Sequence, residues 1–327
     1  MRLTAFAMCS SVLLCASLSG CSRGSPPSPA ASPEVYSIRV EPASLALRAG
    51  SEAQLAAQAQ DAHGAITGGA AFAFSSLDPQ IAQVTTTGRV GARGSTGSTQ
   101  LRVASGGREA MVTVVVTAGP AARSEVIAAP SAQTVAGGSL GTVRVRVVDD
   151  YGNGLDHTPV NWRVTQGGGA LTDVATHTSA DGSAAVTWQA GSGVGTQTLE
   201  FTSDGLPPRL FTALAQTGPA ARLQIQLSDK AKEGTADLVI GQPAQLIASV
   251  ADATGNPVAG VVVTFERATS CSFEGGRVAT GETGTTAPIS WVPGTGKTCR
   301  ITARVEGTEI TASLDAPIRI SRTAPRR

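Results

Sequence analysis

The sequence predicts an all-β chain of three consecutive β-sandwich domains behind a cleaved N-terminal leader and a proline-rich tether. Three observations carry this. Gly (38) and Pro (18) are plentiful in 327 residues while aromatics make up only 4%, the profile of many short strands cut by turns. Apolar and polar residues alternate in strand-sized runs, and no long amphipathic helical pattern is evident. Four collinear blocks recur roughly a hundred residues apart, the size of one sandwich domain.

The leader comes first. Arg2 gives a positive start, residues 3–18 are apolar but short and interrupted by Ser and Cys, and Ser19 and Gly20 precede Cys21. This is the anatomy of a signal peptide over residues 1–20. Leu18-Ser19-Gly20-Cys21 resembles the lipobox of bacterial lipoproteins. The resemblance implies a diacylglyceryl thioether on Cys21 with a further acyl chain on its amine. It also implies membrane anchorage at the cell membrane or outer membrane, facing the periplasm or the exterior. Two or more chains anchor stably where one exchanges. The alternative is an ordinary secretory signal with an incidental cysteine. Residues 21–33 are Pro- and Ser-rich and cannot bury a core, so they form a semi-rigid stalk of at most roughly 40 Å at about 3.1 Å per residue.

Residues 34–118 form the first domain. Val35, Ile38 and Val40, then Leu45 and Leu47, are short alternating runs cut by Pro42 and Gly50. Residues 51–60 have helical propensity, yet Leu55, Ala57 and Ala59 alternate with Gln54, Gln58 and Gln60, so the expectation is one strand. Phe74-Ser75-Ser76 with Asp78-Pro79, the run Ile81-Ala82-Gln83-Val84, the turn Thr87-Gly88-Arg89-Val90 and a valine-rich strand over 112–116 follow in order. This order resembles the group 2 bacterial immunoglobulin-like domain, with Phe74 where that family usually carries Trp.

Residues 119–217 and 218–322 form a duplicated pair, followed by a short tail over 323–327. Gly119-Pro120-Ala121-Ala122-Arg123 recurs at Gly218 to Arg222, and Asp149-Asp150-Tyr151-Gly152-Asn153 recurs as Asp252-Ala253-Thr254-Gly255-Asn256. Val160-Asn161-Trp162 recurs as Val263-Thr264-Phe265, and Ala184 to Trp188 as Ala287 to Trp291. Before the Asp turn, Val143, Val145 and Val147 face a core while Arg144 and Arg146 face solvent. With Thr178 to Gly182 and Thr280 to Gly284, these residues resemble the group 1 bacterial immunoglobulin-like domains of intimin- and invasin-type surface proteins. That family stacks domains into a stiff rod, here of roughly 100 Å from three domains of about ten strand residues at about 3.3 Å each. The short Pro-containing junctions favour a preferred angle between neighbours.

Cys9 and Cys15 would leave with the leader and the lipobox resemblance implies a lipid on Cys21, so Cys271 and Cys299 would remain, an even count that in an exported chain suggests a disulfide. Free thiols or a metal site are the alternatives, though no His lies near. A bridge closing about 28 residues stabilises by roughly 3.5 kcal/mol on the chain-entropy account.

Several motifs imitate chemistry. Gly137-Gly138-Ser139-Leu140-Gly141 fits the nucleophile-elbow string, but a strand rather than a helix follows Ser139. Gly296-Lys297-Thr298 lacks the earlier glycine of a phosphate loop. Asp149, Asp150, Asn153 and Asp156 crowd one turn and could ligate Ca²⁺, although these residue types also serve a tight hairpin. His63, His157 and His177 read as scattered loop residues without a paired carboxylate, and Trp162, Trp188 and Trp291 as core. The 25 basic residues nearly balance 24 acidic ones, so no field attracts nucleic acid. No acid-base, nucleophile or metal constellation converges. The expectation is a non-enzymatic, lipid-anchored envelope protein without cofactor. Its partners are the membrane, through Cys21, and an unidentified protein or glycan. The alternative is a carbohydrate-binding accessory module.

Overall fold

The computed structural model describes residues 34–228 and 238–319. The leader, Cys21, the tether and the tail over 323–327 lie outside the described residues. Among those described there is no α-helix, and three separate clusters of buried apolar residues each sit between a pair of sheets.

The first sandwich contains β1 (Ser37–Glu41), β2 (Ser44–Arg48), β3 (Glu52–Gln54), β4 (Ala56–Gln60), β5 (Ala73–Ser76), β6 (Ala82–Val84), β7 (Arg89–Ala92), β8 (Gly97–Ser105) and β9 (Arg108–Thr117). One sheet runs β2-β9-β8-β5, and the other is split into β1-β4 and β3-β7-β6. The split corrects the expectation of a single strand over residues 51–60. At Leu55 the backbone N–H donates to Gly88 O (2.9 Å), while Gln54 Nε2 donates to Leu55 O and Thr87 O. These bonds interrupt the ladder, so β3 pairs with β7 and β4 with β1. The inward alternation survives the break: Leu55 and Ala59 are buried.

The second sandwich has β10 (Arg123–Ala128), β11 (Gln133–Val135), β12 (Ser139–Val148), β13 (Val160–Gln166), β14 (Ala170–Thr172), β15 (Ser183–Gln189), β16 (Gly195–Ser203) and β17 (Arg209–Gln216). Its sheets are β10-β12-β15-β14 and β11-β17-β16-β13. Lettered A, A′, B, C, D, E, F, G, they are the A-B-E-D and A′-G-F-C sheets of the immunoglobulin-like plan. The third sandwich repeats it with β18 (Arg222–Leu227), β19 (Leu238–Val239), β20 (Ala244–Ala251), β21 (Val262–Phe265), β22 (Gly276–Ala279), β23 (Ile289–Trp291), β24 (Thr298–Val305) and β25 (Thr311–Arg319). One strand departs: β14 pairs with β15, whereas its counterpart β22 pairs with β21 in the opposite sheet. All three sandwiches close alike, their second strand running parallel to their last: β2 with β9, β11 with β17, β19 with β25.

The duplicated cores are filled differently. In the second sandwich Val143, Val145 and Val147 are fully buried beneath exposed Arg144. Trp162 stands opposite Phe201, their rings 4.8 Å apart, and Trp188 is also buried. In the third, the residue opposite Phe265 is Ala303, which leaves a ring's volume empty. Phe273 fills it, edge-on to Phe265 at 6.5 Å and to Trp291 at 5.2 Å. Trp291 itself is only half-buried, short of the full core placement expected from its strand pattern. Phe273 comes one residue after the 3-10 turn Thr269–Cys271, past its cap Ser272, and the turn is tied to β24 by a disulfide between the fully buried Cys271 and Cys299.

Replacing both cysteines with Ala is expected to lower the stability of the third sandwich by about 3 kcal/mol, read as an earlier midpoint of its transition in a urea titration, with the other two transitions unmoved.

Candidate functional site at the junctions between sandwiches

Both turns of the repeated Asp-x-x-Gly-Asn block lie where one sandwich meets the one before it. Asp149 directly follows β12 and is 1% exposed. A carboxylate cannot be buried without donors, and here four converge. Gly119 N reaches Oδ2 at 2.8 Å, Tyr151 N and Asn153 N reach Oδ1 at 2.9 and 2.8 Å, and Asn153 Nδ2 reaches Oδ2 at 2.9 Å. Gly119 belongs to the linker, so the carboxylate fastens the linker to the turn. The second amide hydrogen of Asn153 crosses the junction to Gly94 O in the preceding sandwich.

Asp252 repeats the arrangement between the second and third sandwiches. Gly218 N donates to its Oδ2 at 3.0 Å, Thr254 N and Asn256 N to Oδ1 at 3.0 and 2.8 Å, and Asn256 Nδ2 to Oδ2 at 3.1 Å. Asn256 Nδ2 also reaches back to Ser192 O at 2.8 Å. Burial acts to raise the pKa of both carboxyls. For Asp149 the hydrogen bonds from the Asn153 side chain and from Gly119, Asn153 and Tyr151 outweigh it and hold the pKa below the ordinary value. For Asp252 the bonds from Gly218, the Asn256 side chain, Thr254 and the Asn256 backbone hold it far below.

The oxygens that a cation would need at Asp149 are therefore occupied by N–H donors. Asp150 and Asp156 contribute none of these bonds, and Asp156 Oδ1 instead lies 3.2 Å from His157 Nδ1. This last contact corrects the reading for His157, which has a carboxylate beside it, and the isolated bridge between Pro159 and His177 brings the His157 and His177 rings to 6.3 Å; His63 stands apart, and all three are exposed as expected of loop residues. Among the described residues no group of three His, Cys, Asp or Glu side chains is placed to hold a metal ion.

The remaining sequence motifs serve structure. Ser139 opens β12 and its Oγ accepts from Gly141 N at 3.1 Å. Lys297-Thr298 leads into β24. Thr178 is buried, accepting from Thr158 N and donating to Leu155 O, and Thr280 does the same with Val261 N and Val258 O. The latter pair explains why the Thr block recurs in both copies. Trp162 and Trp188 are buried, as the core reading expects, so neither offers an indole face on which a sugar could stack. Beside the first linker lies a crevice of about 550 Å³ whose only charged lining residues are Arg48 and Asp156.

The sequence marked the Asp turn and the Gly-Pro-Ala-Ala-Arg block separately. Their joint recurrence, with Gly119 and Asp149 separated by 30 residues and Gly218 and Asp252 by 34, was the signal that they bind each other.

No protein-family model matches this chain, and no curated protein matches it. Solved structures that resemble it include bacterial adhesins. FdeC, an Escherichia coli adhesin, is 18% identical over 86% of this chain and 96% of its own, with a TM-score of 0.48. InvD of Yersinia pseudotuberculosis is 14% identical over 85% and 95%, with a TM-score of 0.42. The surface layer protein SbsC, domains 4-9, is 21% identical over 82% of this chain and 42% of its own, with a TM-score of 0.29.

Asp149→Asn puts an amide NH₂ among donors that need an acceptor, and is expected to cost about 1–3 kcal/mol in the urea midpoint of the second sandwich. Because the folded carboxyl is more acidic than an unfolded one, its stabilisation is fully present above about pH 4 and is lost as pH falls through the folded pKa. Acid titration of the unfolding midpoint is expected to show a loss below about pH 4 that is smaller in Asp149→Asn.

Proposed function

We propose that this chain is a non-enzymatic, lipid-anchored protein of the bacterial cell envelope. Its three immunoglobulin-like sandwiches, the first of group 2 type and the next two of intimin- and invasin-like group 1 type, form a spacer that presents a binding face, in adhesion, away from the membrane. The observation that carries the reading is the repeated carboxylate clasp. It fixes each linker and touches the preceding sandwich, an arrangement suited to holding modules in series. The lipobox at Leu18 to Cys21 supports the anchor, and the proline-rich residues 21–33 support a stand-off from the headgroups. No helix among the described residues is long and apolar enough to cross a membrane. The partner on this reading is a protein or glycan outside the membrane.

Palmitate labelling combined with protease treatment of intact cells tests it. The expected outcome is a labelled chain that protease removes, and Cys21→Ala abolishes labelling and moves the chain from the membrane to the soluble fraction. A labelled but protected chain faces the periplasm and ends the adhesion reading, while a chain whose partitioning ignores Cys21→Ala has no lipid anchor.

A further inference from the structure

The two clasped junctions share four hydrogen bonds to the carboxylate, to which the second adds one from Thr254 Oγ1 at 2.8 Å, but they do not share their steric contacts. At the first, the ring of Tyr151 lies across two loops of the preceding sandwich. A Cβ placed on Gly50 would lie 2.9 Å from ring atom Cε2, and one on Gly94 only 2.6 Å from Cδ1. The ring thus occupies the space that side chains at both positions would take, and both glycines hold positive φ, 80° and 114°. A rigid aromatic plate bridges the turn after β2 and the loop between β7 and β8.

At the second junction every partner has an equivalent. Thr254 replaces Tyr151, Gly137 after β11 replaces Gly50, and Ser192 before β16 replaces Gly94, since Asn256 donates to Ser192 O where Asn153 donates to Gly94 O. Thr254 meets the first of these loops: its Cγ2 lies 2.9 Å from a Cβ position on Gly137. Ser192 carries a side chain at the position where the ring needs a glycine.

We propose that the two junctions are unequal joints: Tyr151, seated on Gly50 and Gly94, locks the first against bending, and Thr254 opposite Gly137 and Ser192 leaves the second compliant. A plate wedged across two loops must lift off or compress one of them for the sandwiches to tilt, because packed atoms lose contact energy over a fraction of an ångström. A single methyl against one loop blocks tilt in one direction and leaves the others to the linker and the Asn256 bond. The first two sandwiches move as one stiff body, and the third swivels on it. This property is independent of the anchor. If the N-terminal anchor also holds, the stiff part is the base and the mobile part the end nearest a partner.

Spin-label distance distributions on the full chain test it, with labels on non-natural amino acids so that Cys271 and Cys299 stay paired. Thr113 on β9, Thr212 on β17 and Ser313 on β25 are exposed positions on the last strand of each sandwich. The Thr113 to Thr212 distribution is expected to be narrower than that from Thr212 to Ser313. Tyr151→Thr is expected to widen the first to the breadth of the second, and Thr254→Tyr combined with Ser192→Gly to narrow the second. Thermal melts of the variants separate loosening from unfolding, and Tyr151→Phe, which keeps the ring, is expected to leave the first distribution narrow. Equal breadths in the unmodified chain, or a first junction that ignores Tyr151→Thr, overturns the proposal.

Discussion

The arrangement of this chain rests on a carboxylate buried at the end of a strand. Asp149 sits where β12 leaves the second sandwich, with its two oxygens shared among four N–H donors. The cost of removing a charge from water is met only because backbone and side-chain donors surround it. One donor comes from the linker, so folding of the turn and placement of the linker become a single event. The amide of Asn153, held by the same carboxylate, is thereby aimed at the sandwich before.

Duplication of that device explains why two sandwiches with different interiors keep the same boundary. The second core relies on Trp162 against Phe201, and the third on Phe273, Trp291 and a disulfide. Cores tolerate such exchange as long as volume is conserved. A saturated carboxylate does not, because removing either partner strands a buried polar group. The interiors have therefore drifted while Asp149 and Asp252 retain the same four kinds of donor.

The same logic separates polar residues that look reactive from ones that are. Ser139, Thr178 and Thr280 bond to nearby backbone, and the two aspartates to backbone amides and an asparagine side chain. These five residues act as fasteners of turns, linkers and strands. Surface ion pairs with a single contact, such as Arg163 with Glu200, contribute little to stability.

Much of this was legible in the sequence, for a physical reason. Strand period and turn residues are local, so the valines of β12, the sandwich plan and the duplicated blocks could be read directly. The leftover pair Cys271 and Cys299 pointed to its own bond by count alone. What depended on distance along the chain was hidden. The break at Leu55 follows from a bond to Gly88, the packing of Trp291 from its edge-on contact with Phe273, and the meeting of His157 with His177 from a bridge between separate loops. The role of Asp149 was hidden most completely, because an Asp-Asn-Gly turn reads alike whether it faces water or another sandwich. Only the tertiary structure brings Gly119, Gly94 and Gly50 to it, since the partners that bury and saturate a polar group come from segments that local periodicity does not connect.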